Sequence, residues 1–306
     1  MLSTLAAIAY PPIPIWEVGP LRLSLHGVFA ALGFIAGGAL ASRKLGRRGY
    51  DVEAYQSVLS WAIVGAILGA RYFTTPAAII DGVPIGTALH PFNGSFSIMG
   101  GFAGGILAGW WRMGRVGLPA LPTFDASAFG LALGTIVGRI GDLAIVEHLG
   151  SATSVAWGYG IKPGYDVAPQ HDALECVVPS VGEYCGIYHH VAAYDLIGAA
   201  ILLGVLALLV ARARLHYGQL FSIWVIWYGL QRFALDALRI DNGDRTLGAF
   251  TWNQLSGLAA ALFGVGLFLW FRSRPIVSDD EDARLAERGT AAEVSMAPSD
   301  ADSPNG

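Results

Sequence analysis

Charged residues are scarce in this chain: only 14% of its 306 residues are Asp, Glu, Lys or Arg, whereas 54% are hydrophobic. Soluble domains carry about 25% charged residues. The low charge and a mean hydropathy of +0.52 exclude an ordinary soluble domain and favour a polytopic membrane protein. The sequence also lacks a basic patch interleaved with aromatic residues, so nucleic acid is not an expected partner.

Cysteine is nearly absent as well. Cys176 and Cys185 occur in one polar segment, without a CxxC or His/Cys ligand spacing, which argues against a zinc or haem site. They form either a disulfide inside an exported loop or two free thiols, and the disulfide requires an oxidising compartment. A charged n-region is missing from MLSTLAAIA, so the N-terminus is interpreted as ordered or frayed and not as a cleaved signal.

Long apolar stretches are abundant, and seven of them approach the length of about 20 residues that a bilayer crossing needs. The third is the shortest, and the fourth and sixth contain charges that a strict hydropathy window would reject. The sequence therefore predicts an all-α fold of about seven transmembrane helices, at roughly 24–42, 56–74, 95–111, 125–146, 190–211, 219–238 and 252–271.

Basic residues follow every second span and set the predicted orientation. The positive-inside rule places the N-terminus outside and the C-terminus in the cytoplasm. The segment 147–189 then lies outside, where it is long enough to form a small cap or head. Residues 275–306, which include DDED, are predicted to be a disordered acidic cytoplasmic tail after a membrane domain over 1–274. The basic clusters are Arg43, Lys44, Arg47 and Arg48, then Arg112 and Arg115, Arg212 and Arg214, and Arg272 and Arg274.

Glycines recur four residues apart in the second and third spans. The pairs are Gly65 with Gly69, Gly100 with Gly104, and Gly101 with Gly105. Such spacing lets two helix backbones approach closely. Close packing is one interpretation, and a lipid-sized cleft beside these glycines is the other.

Three arginines interrupt the apolar spans, and each costs about 2.5–3.5 kcal/mol at the bilayer centre unless it is paired, hydrated or bound to an anion. Arg71 is near a span end, where its side chain can reach the interface. Arg139 is followed by Asp142 and Glu147, so an acid can neutralise it while its guanidinium binds a phosphate. Arg232 precedes Asp236 by one helical turn, which predicts a second such pair.

Histidines are the candidates for proton transfer. His26 opens the first span, and His189 and His190 precede the fifth, all on the predicted outer side. A histidine with an ordinary pKa near 6.5 accepts a proton near neutral pH. Interfacial hydrogen bonding is the alternative role for these side chains.

The segment GRIGDLAIVEHLG, at 138–150, resembles the signature GR-x-GN-x₂-N-x-E-x₂-G of the bacterial prolipoprotein diacylglyceryl transferases. Seven further segments resemble family elements in the same order, so the resemblance covers about residues 11–272. They are PPIPIWEVGPLRLSLHG, GAILGARYF, SIMGGFAGG, TSVAWG, HHVAAYD, YGLQRFALDALR and WNQLSG.

The resemblance implies transfer of a diacylglyceryl group from phosphatidylglycerol to the lipobox cysteine thiol of a preprolipoprotein at the bacterial inner membrane, with no metal or soluble cofactor. His26, His189, Arg139 and Arg232 are predicted to be catalytic. The predicted substrate-binding residues are Arg139, Arg232, Arg71, Asp142, Glu147, Asp236, Tyr194, Gly100 and Gly101.

Four positions depart from the family pattern in ways that affect proton transfer or charge. Met99 replaces the histidine of the HGG element, His26 replaces a tyrosine, Asp142 replaces the signature asparagine, and Asp236 replaces a glutamate. A non-catalytic lipid- or lipoprotein-binding paralogue is therefore the second hypothesis. A small-solute transporter is a third, weakened by the lack of an internal repeat in the sequence.

Overall fold

The computed structural model describes most of the chain, and most of the described residues are helical. The described residues are 7–14, 16–18, 21–80, 82–91, 97–165, 182–239, 245–247, 250–278, 282, 284–285 and 287. Each of the seven predicted spans coincides with a long helix, with boundaries shifted by a few residues. These helices are α1 Leu25–Gly46, α2 Val52–Tyr72, α5 Ile98–Arg115, α6 Ala120–Ile145, α7 Val191–Arg212, α8 Gln219–Asp236 and α9 Trp252–Trp270, with short helices α3 Thr75–Ile80 and α4 Ile85–Ala88 after α2.

Five helical segments are long and apolar enough to cross a membrane: Leu25–Gly46, Val52–Tyr72, Ala120–Ile145, Val191–Arg212 and Trp252–Ser273. The all-α polytopic fold is thereby confirmed. The expectation that a strict window would reject the fourth span is wrong, because α6 qualifies. Helices α5 and α8 are not among these five segments, so the count of seven spans stays a prediction.

The chain divides into two compact units, which are described separately. Unit 1 comprises Met1–Leu40 and Ser127–Ile276, and unit 2 comprises Ala41–Ala126 and Val277–Gly306. Within unit 1, α1 packs on α6 where a Cβ at Gly33 would lie 2.5 Å from the carbonyl oxygen of Gly134. Helices α8 and α9 approach each other equally closely at Gly229 and Gly257.

In unit 2, helices α2 and α5 pack backbone against backbone. A Cβ at Gly69 would lie 2.9 Å from the Cα of Gly104, and one at Gly65 would collide with the Gly104 carbonyl. This is the close helix packing that the glycine spacing predicts, since association inside a membrane relies on van der Waals contact. A cluster of buried side chains that includes Leu45, Tyr55 and Met113 forms the core of the unit.

The segment between α6 and α7 forms a small antiparallel sheet in the order β3-β5-β4, where β3 is Leu149–Ala152, β4 is Tyr159–Ile161 and β5 is Gly186–His190. Tyr10 caps it, because Tyr159 donates a hydrogen bond of 2.6 Å to the Tyr10 carbonyl. Cys185 is disulfide-bonded, as expected for a disulfide in this segment, and Cys176 lies outside the described residues. Two hairpins complete the strands: β1 Trp16–Val18 with β2 Leu21–Leu23, and β6 Arg245–Leu247 with β7 Phe250–Thr251.

Parts of the predicted tail are packed at the residues that the structure describes. In unit 1, Ile276 forms a β-bridge with His216. In unit 2, Asp282 is 2% exposed and accepts a 2.6 Å hydrogen bond from the Tyr50 hydroxyl. Ile276 and Asp282 are therefore ordered, and disorder over the whole of 275–306 stays a prediction.

Candidate active site

Arg139 in α6 lies between two carboxylates. Its Nη1 donates to Oδ2 of Asp142, as the sequence predicts, and its Nε is 2.5 Å from Oδ2 of Asp195 in α7. Asp195 also accepts from the side chain of Gln231 in α8. Sequence reasoning missed Asp195, although it is the final residue of HHVAAYD and the acid of the family element that this segment resembles.

His26 lies at the start of α1 and contacts Asp142 through Nδ1. The contact is possible because α1 meets α6 at a glycine: a Cβ on Gly141 would lie 2.6 Å from the carbonyl oxygen of Leu25 and 2.9 Å from the Cα of His26. Asp142 is 1% exposed, and both of its oxygens accept hydrogen bonds, one from His26 and one from Arg139. The sequence-predicted residues His26, Arg139 and Asp142 therefore form one hydrogen-bonded group.

Glu147 joins this group from beyond the helix. Helix α6 ends at Ile145, so Glu147 does not extend the helical face that carries Arg139 and Asp142. The chain then turns with Val146 at φ 55° and His148 at φ 64°, a left-handed conformation that costs on the order of 1–3 kcal/mol for residues with a side chain. The turn brings Oε2 of Glu147 to 3.7 Å from Nδ1 of His26, and burial raises the pKa of Glu147.

Ligand atoms of His26, Asp142 and Glu147 lie within 4.8 Å of one another, close enough to hold a metal ion. Asp142 is, however, already bound to the Arg139 guanidinium. That adjacent positive charge opposes a cation at the same carboxylate. The cluster is better suited to moving a proton than to holding a metal.

A small pocket opens beside this group within unit 1. Three of its lining side chains are the arginines 139, 232 and 239, against the single carboxylate of Asp195, which Arg139 already neutralises. The pocket therefore carries a net positive charge, which suits a phosphate. Its lining residues are Arg139, His148, Val191, Ala192, Asp195, Tyr228, Arg232, Leu235 and Arg239.

Arg232 and Arg239 both line this pocket but differ in their hydrogen-bond partners. Arg232 has no hydrogen bond or ion pair within the described part of the chain. Arg239 donates from Nη2 to Nδ1 of His148 at 3.1 Å. The predicted pairing of Arg232 with Asp236 is wrong. Asp236 is fully buried and instead accepts a 2.5 Å hydrogen bond from Thr251, the residue that precedes α9. Arg232 is thus left to an anion from outside the described residues.

The histidines before α7 have neighbours of their own. Nδ1 of His189 is 2.9 Å from the hydroxyl of Tyr194, which also accepts from Trp157 at 3.1 Å. His190 is 5% exposed, and burial lowers its pKa to about 4. Neither His189 nor Tyr194 lines the pocket, so their predicted roles remain predictions.

The remaining predicted site residues belong to unit 2. Arg71 donates to the carbonyl oxygens of Ala88 and His90, at 2.7 Å and 2.6 Å from Nη2. A Cβ on Gly100 would collide with Phe73, and one on Gly101 would lie 3.5 Å from Ala70, so both glycines serve the packing of α5 on α2. Their predicted contact with lipid stays a prediction.

Comparison with known proteins decides the family. Residues 14–270 match the sequence profile of the prolipoprotein diacylglyceryl transferases. The chain belongs to this family. The resemblance read from the motifs is thereby confirmed, together with the assignment to a family of membrane transferases.

Curated relatives carry the name phosphatidylglycerol–prolipoprotein diacylglyceryl transferase. The relative from Thermus thermophilus is 31% identical over 269 residues, which cover 81% of this chain and 94% of that protein. The relative from Frankia alni is 30% identical over 79% of this chain, and the match spans only 62% of that protein's length. The relative from Rhodococcus jostii is 26% identical over 94% of this chain and 82% of its own.

Proposed function

We propose that this protein transfers the diacylglyceryl group of phosphatidylglycerol to the lipobox cysteine thiol of a preprolipoprotein. The thiol sulfur attacks the glyceryl carbon that carries the phosphoester oxygen. The C–O bond breaks, its electron pair remains on the phosphate, and glycerol phosphate leaves. The thiol proton passes to a base, for which His26 and His189 are the candidates.

The observation that carries this proposal is the arginine-lined pocket. As the C–O bond breaks, the phosphate changes from a diester with one negative charge to a monoester that gains a second. Fixed positive groups that face this developing charge stabilise the transition state more than the ground state. Arg232 is suited to that task, since it lines the pocket and has no anionic partner among the described residues.

The role of Arg139 follows from its two carboxylate partners. Asp142 and Asp195 already compensate its charge, so it contributes less to phosphate binding than Arg232 does. Its fork still presents further N–H donors to the pocket. We assign two tasks to Arg139. It bonds to Asp142 in the proton-accepting group, and it donates to the phosphate in the pocket.

The reaction needs an outward-facing site, because preprolipoproteins are exported. We place the N-terminus and the segment 147–189 outside the bacterial inner membrane and the C-terminus in the cytoplasm, on the distribution of basic residues. Reporter fusions after Arg48, Arg115 and Arg214 should report the cytoplasm, and a fusion within 150–165 the outside. A cytoplasmic signal from 150–165 contradicts this orientation.

Transfer is tested directly with purified full-length protein in phosphatidylglycerol bilayers and a lipobox peptide that carries one cysteine. The expected product is a peptide whose mass increases by one diacylglyceryl group, whereas the Cys→Ser peptide is unchanged. Expression in a strain depleted of its own diacylglyceryl transferase should restore growth. Expressed protein that neither transfers lipid nor restores growth overturns the proposal.

Met99 supports a second candidate function, because the family has a histidine at this position. A lipid- or lipoprotein-binding paralogue needs the arginine pocket but no base. Such a protein would bind phosphatidylglycerol vesicles with an affinity that falls in Arg232→Ala, yet would form no thioether with any peptide. Thioether formation by the intact protein excludes this function.

A further inference from the structure

His26 makes its hydrogen bond to the described residues through Nδ1. The partner is Oδ1 of Asp142, and Oε2 of Glu147 is 3.7 Å from the same nitrogen. The second oxygen of Asp142 accepts from Arg139, so both carboxylate oxygens act as acceptors and Nδ1 is the donor. A neutral imidazole that carries its proton on Nδ1 has its lone pair on Nε2. Because the His26 side chain is 49% exposed, a substrate can reach that nitrogen.

The other two candidate histidines lack this combination. Nδ1 of His189 is bonded to the Tyr194 hydroxyl, and no carboxylate among the described residues holds the His189 ring as Asp142 holds that of His26. Tyr10 donates its hydroxyl proton to the Leu143 carbonyl at 2.7 Å, which makes Nε2 of His190 the donor to Tyr10 and leaves the His190 lone pair on Nδ1. That atom is buried, where no substrate thiol reaches it.

We propose that His26 and Asp142 form a catalytic pair, in which Nε2 of His26 takes the proton of the substrate thiol and Asp142 holds the ring by Nδ1. This inference rests on the proposed function, whose reaction releases one thiol proton per transfer. The sulfur then attacks the glyceryl carbon, and the electron pair of the broken C–O bond stays on the phosphate. Asp142 is a positioning residue, because it acts on the substrate only through His26.

The sequence departures support this pairing. His26 and Asp142 each replace a residue of the family pattern, a tyrosine and an asparagine, and the two replacements contact each other directly. Tyrosine beside asparagine is a poor proton acceptor, whereas histidine beside aspartate is an effective one. The new pair occurs in a chain whose HGG element carries Met99 instead of histidine. The pair therefore supplies a proton acceptor in a chain that lacks the histidine of the HGG element.

Single-turnover transfer by the full-length protein in phosphatidylglycerol bilayers tests the role of His26. His26→Ala should lower the rate by about 10²–10⁴-fold, the usual contribution of a general base, with the dependence on phosphatidylglycerol concentration unchanged. Added imidazole should restore part of the His26→Ala rate and none of the Arg232→Ala rate. His216→Ala, which loses a histidine bonded to the Arg274 carbonyl, is the matched control and should transfer normally.

A double-mutant cycle tests the role of Asp142. Asp142→Asn should lower the rate by a larger factor in the protein with His26 than in His26→Ala, where only its contact with Arg139 is left to lose. Equal losses in both backgrounds would show a purely structural Asp142 and overturn the pair. His26→Ala with the rate of the intact protein, or imidazole rescue of His189→Ala instead, would also overturn it while the proposed function stands. Absence of transfer by the intact protein overturns the proposed function itself.

Discussion

Arg71 in unit 2 and Arg232 in unit 1 are both arginines in apolar helices, but their partners differ. Arg71 is 4% exposed and donates to carbonyl oxygens of the chain that follows α2, at Ala88 and His90. Arg232 lines a pocket and has no hydrogen bond or ion pair with the described residues. Arg71 holds the segment that follows α2 against that helix, whereas Arg232 can bind an anion.

This difference shows that a charge within a membrane helix is not by itself evidence of a binding site. Both arginines interrupt apolar helices, and an arginine at the bilayer centre is costly unless it is paired, hydrated or bound to an anion. What separates them is whether the fold supplies acceptors. Arg139 is intermediate, since two carboxylates compensate its charge in the wall of the pocket.

Arg232→Ala gives the largest expected effect. Removing one fixed donor from a developing oxyanion costs about 10²–10³ in rate, and we expect that loss in lipid transfer. The thermal midpoint in detergent should stay the same, because Arg232 has no bond with the described residues for the substitution to break. A variant that is strongly destabilised but transfers lipid at the normal rate per folded molecule would assign Arg232 to structure.

Arg71→Met should give the opposite result. The substitution leaves the carbonyls of Ala88 and His90 without this donor, at about 1–3 kcal/mol for each buried group that stays unsatisfied. We expect a lower thermal midpoint with lipid transfer per folded molecule retained. If transfer falls while the midpoint holds, the sequence-based assignment of Arg71 to substrate binding is correct and the comparison with Arg232 fails.

The sequence predicted the helices well because a run of about 20 apolar residues has few alternatives inside a bilayer. It also predicted the contact between Arg139 and Asp142, which are three residues apart on one helix. It missed Asp195 and mispaired Asp236, since both side chains find their partners on other elements of the fold. Spacing along one helix carries no information about which helices are neighbours.

Gly141→Ala tests how the group around Arg139 is assembled. An added Cβ would lie 2.9 Å from the Cα of His26, so α1 must move away from α6 and from Asp142. Overpacking of this kind costs about 1–3 kcal/mol. We expect a lower thermal midpoint and slower lipid transfer. Gly138→Ala on the same helix is the control, because its nearest neighbour is the Cα of Ala30 at 4.0 Å; equal effects of both substitutions would show a general intolerance of α6.

His190 differs from these arginines because burial destabilises its charged, protonated form. Its Nδ1 has no partner within the described residues, and burial lowers its folded-state pKa to about 4 from the ordinary 6.5. Between these values the unfolded chain binds a proton that the folded chain does not, so stability is present above pH 6.5 and is lost as the pH falls toward 4. At pH 5.5 the loss is about 1.4 kcal/mol.

His190→Phe, which keeps a ring between Tyr10 and Tyr159, should remove this part of the pH dependence of the thermal midpoint. Glu147 and the other titratable groups remain in both proteins, so the difference between the two pH curves isolates His190. Parallel curves would show that the buried imidazole finds a partner for its proton.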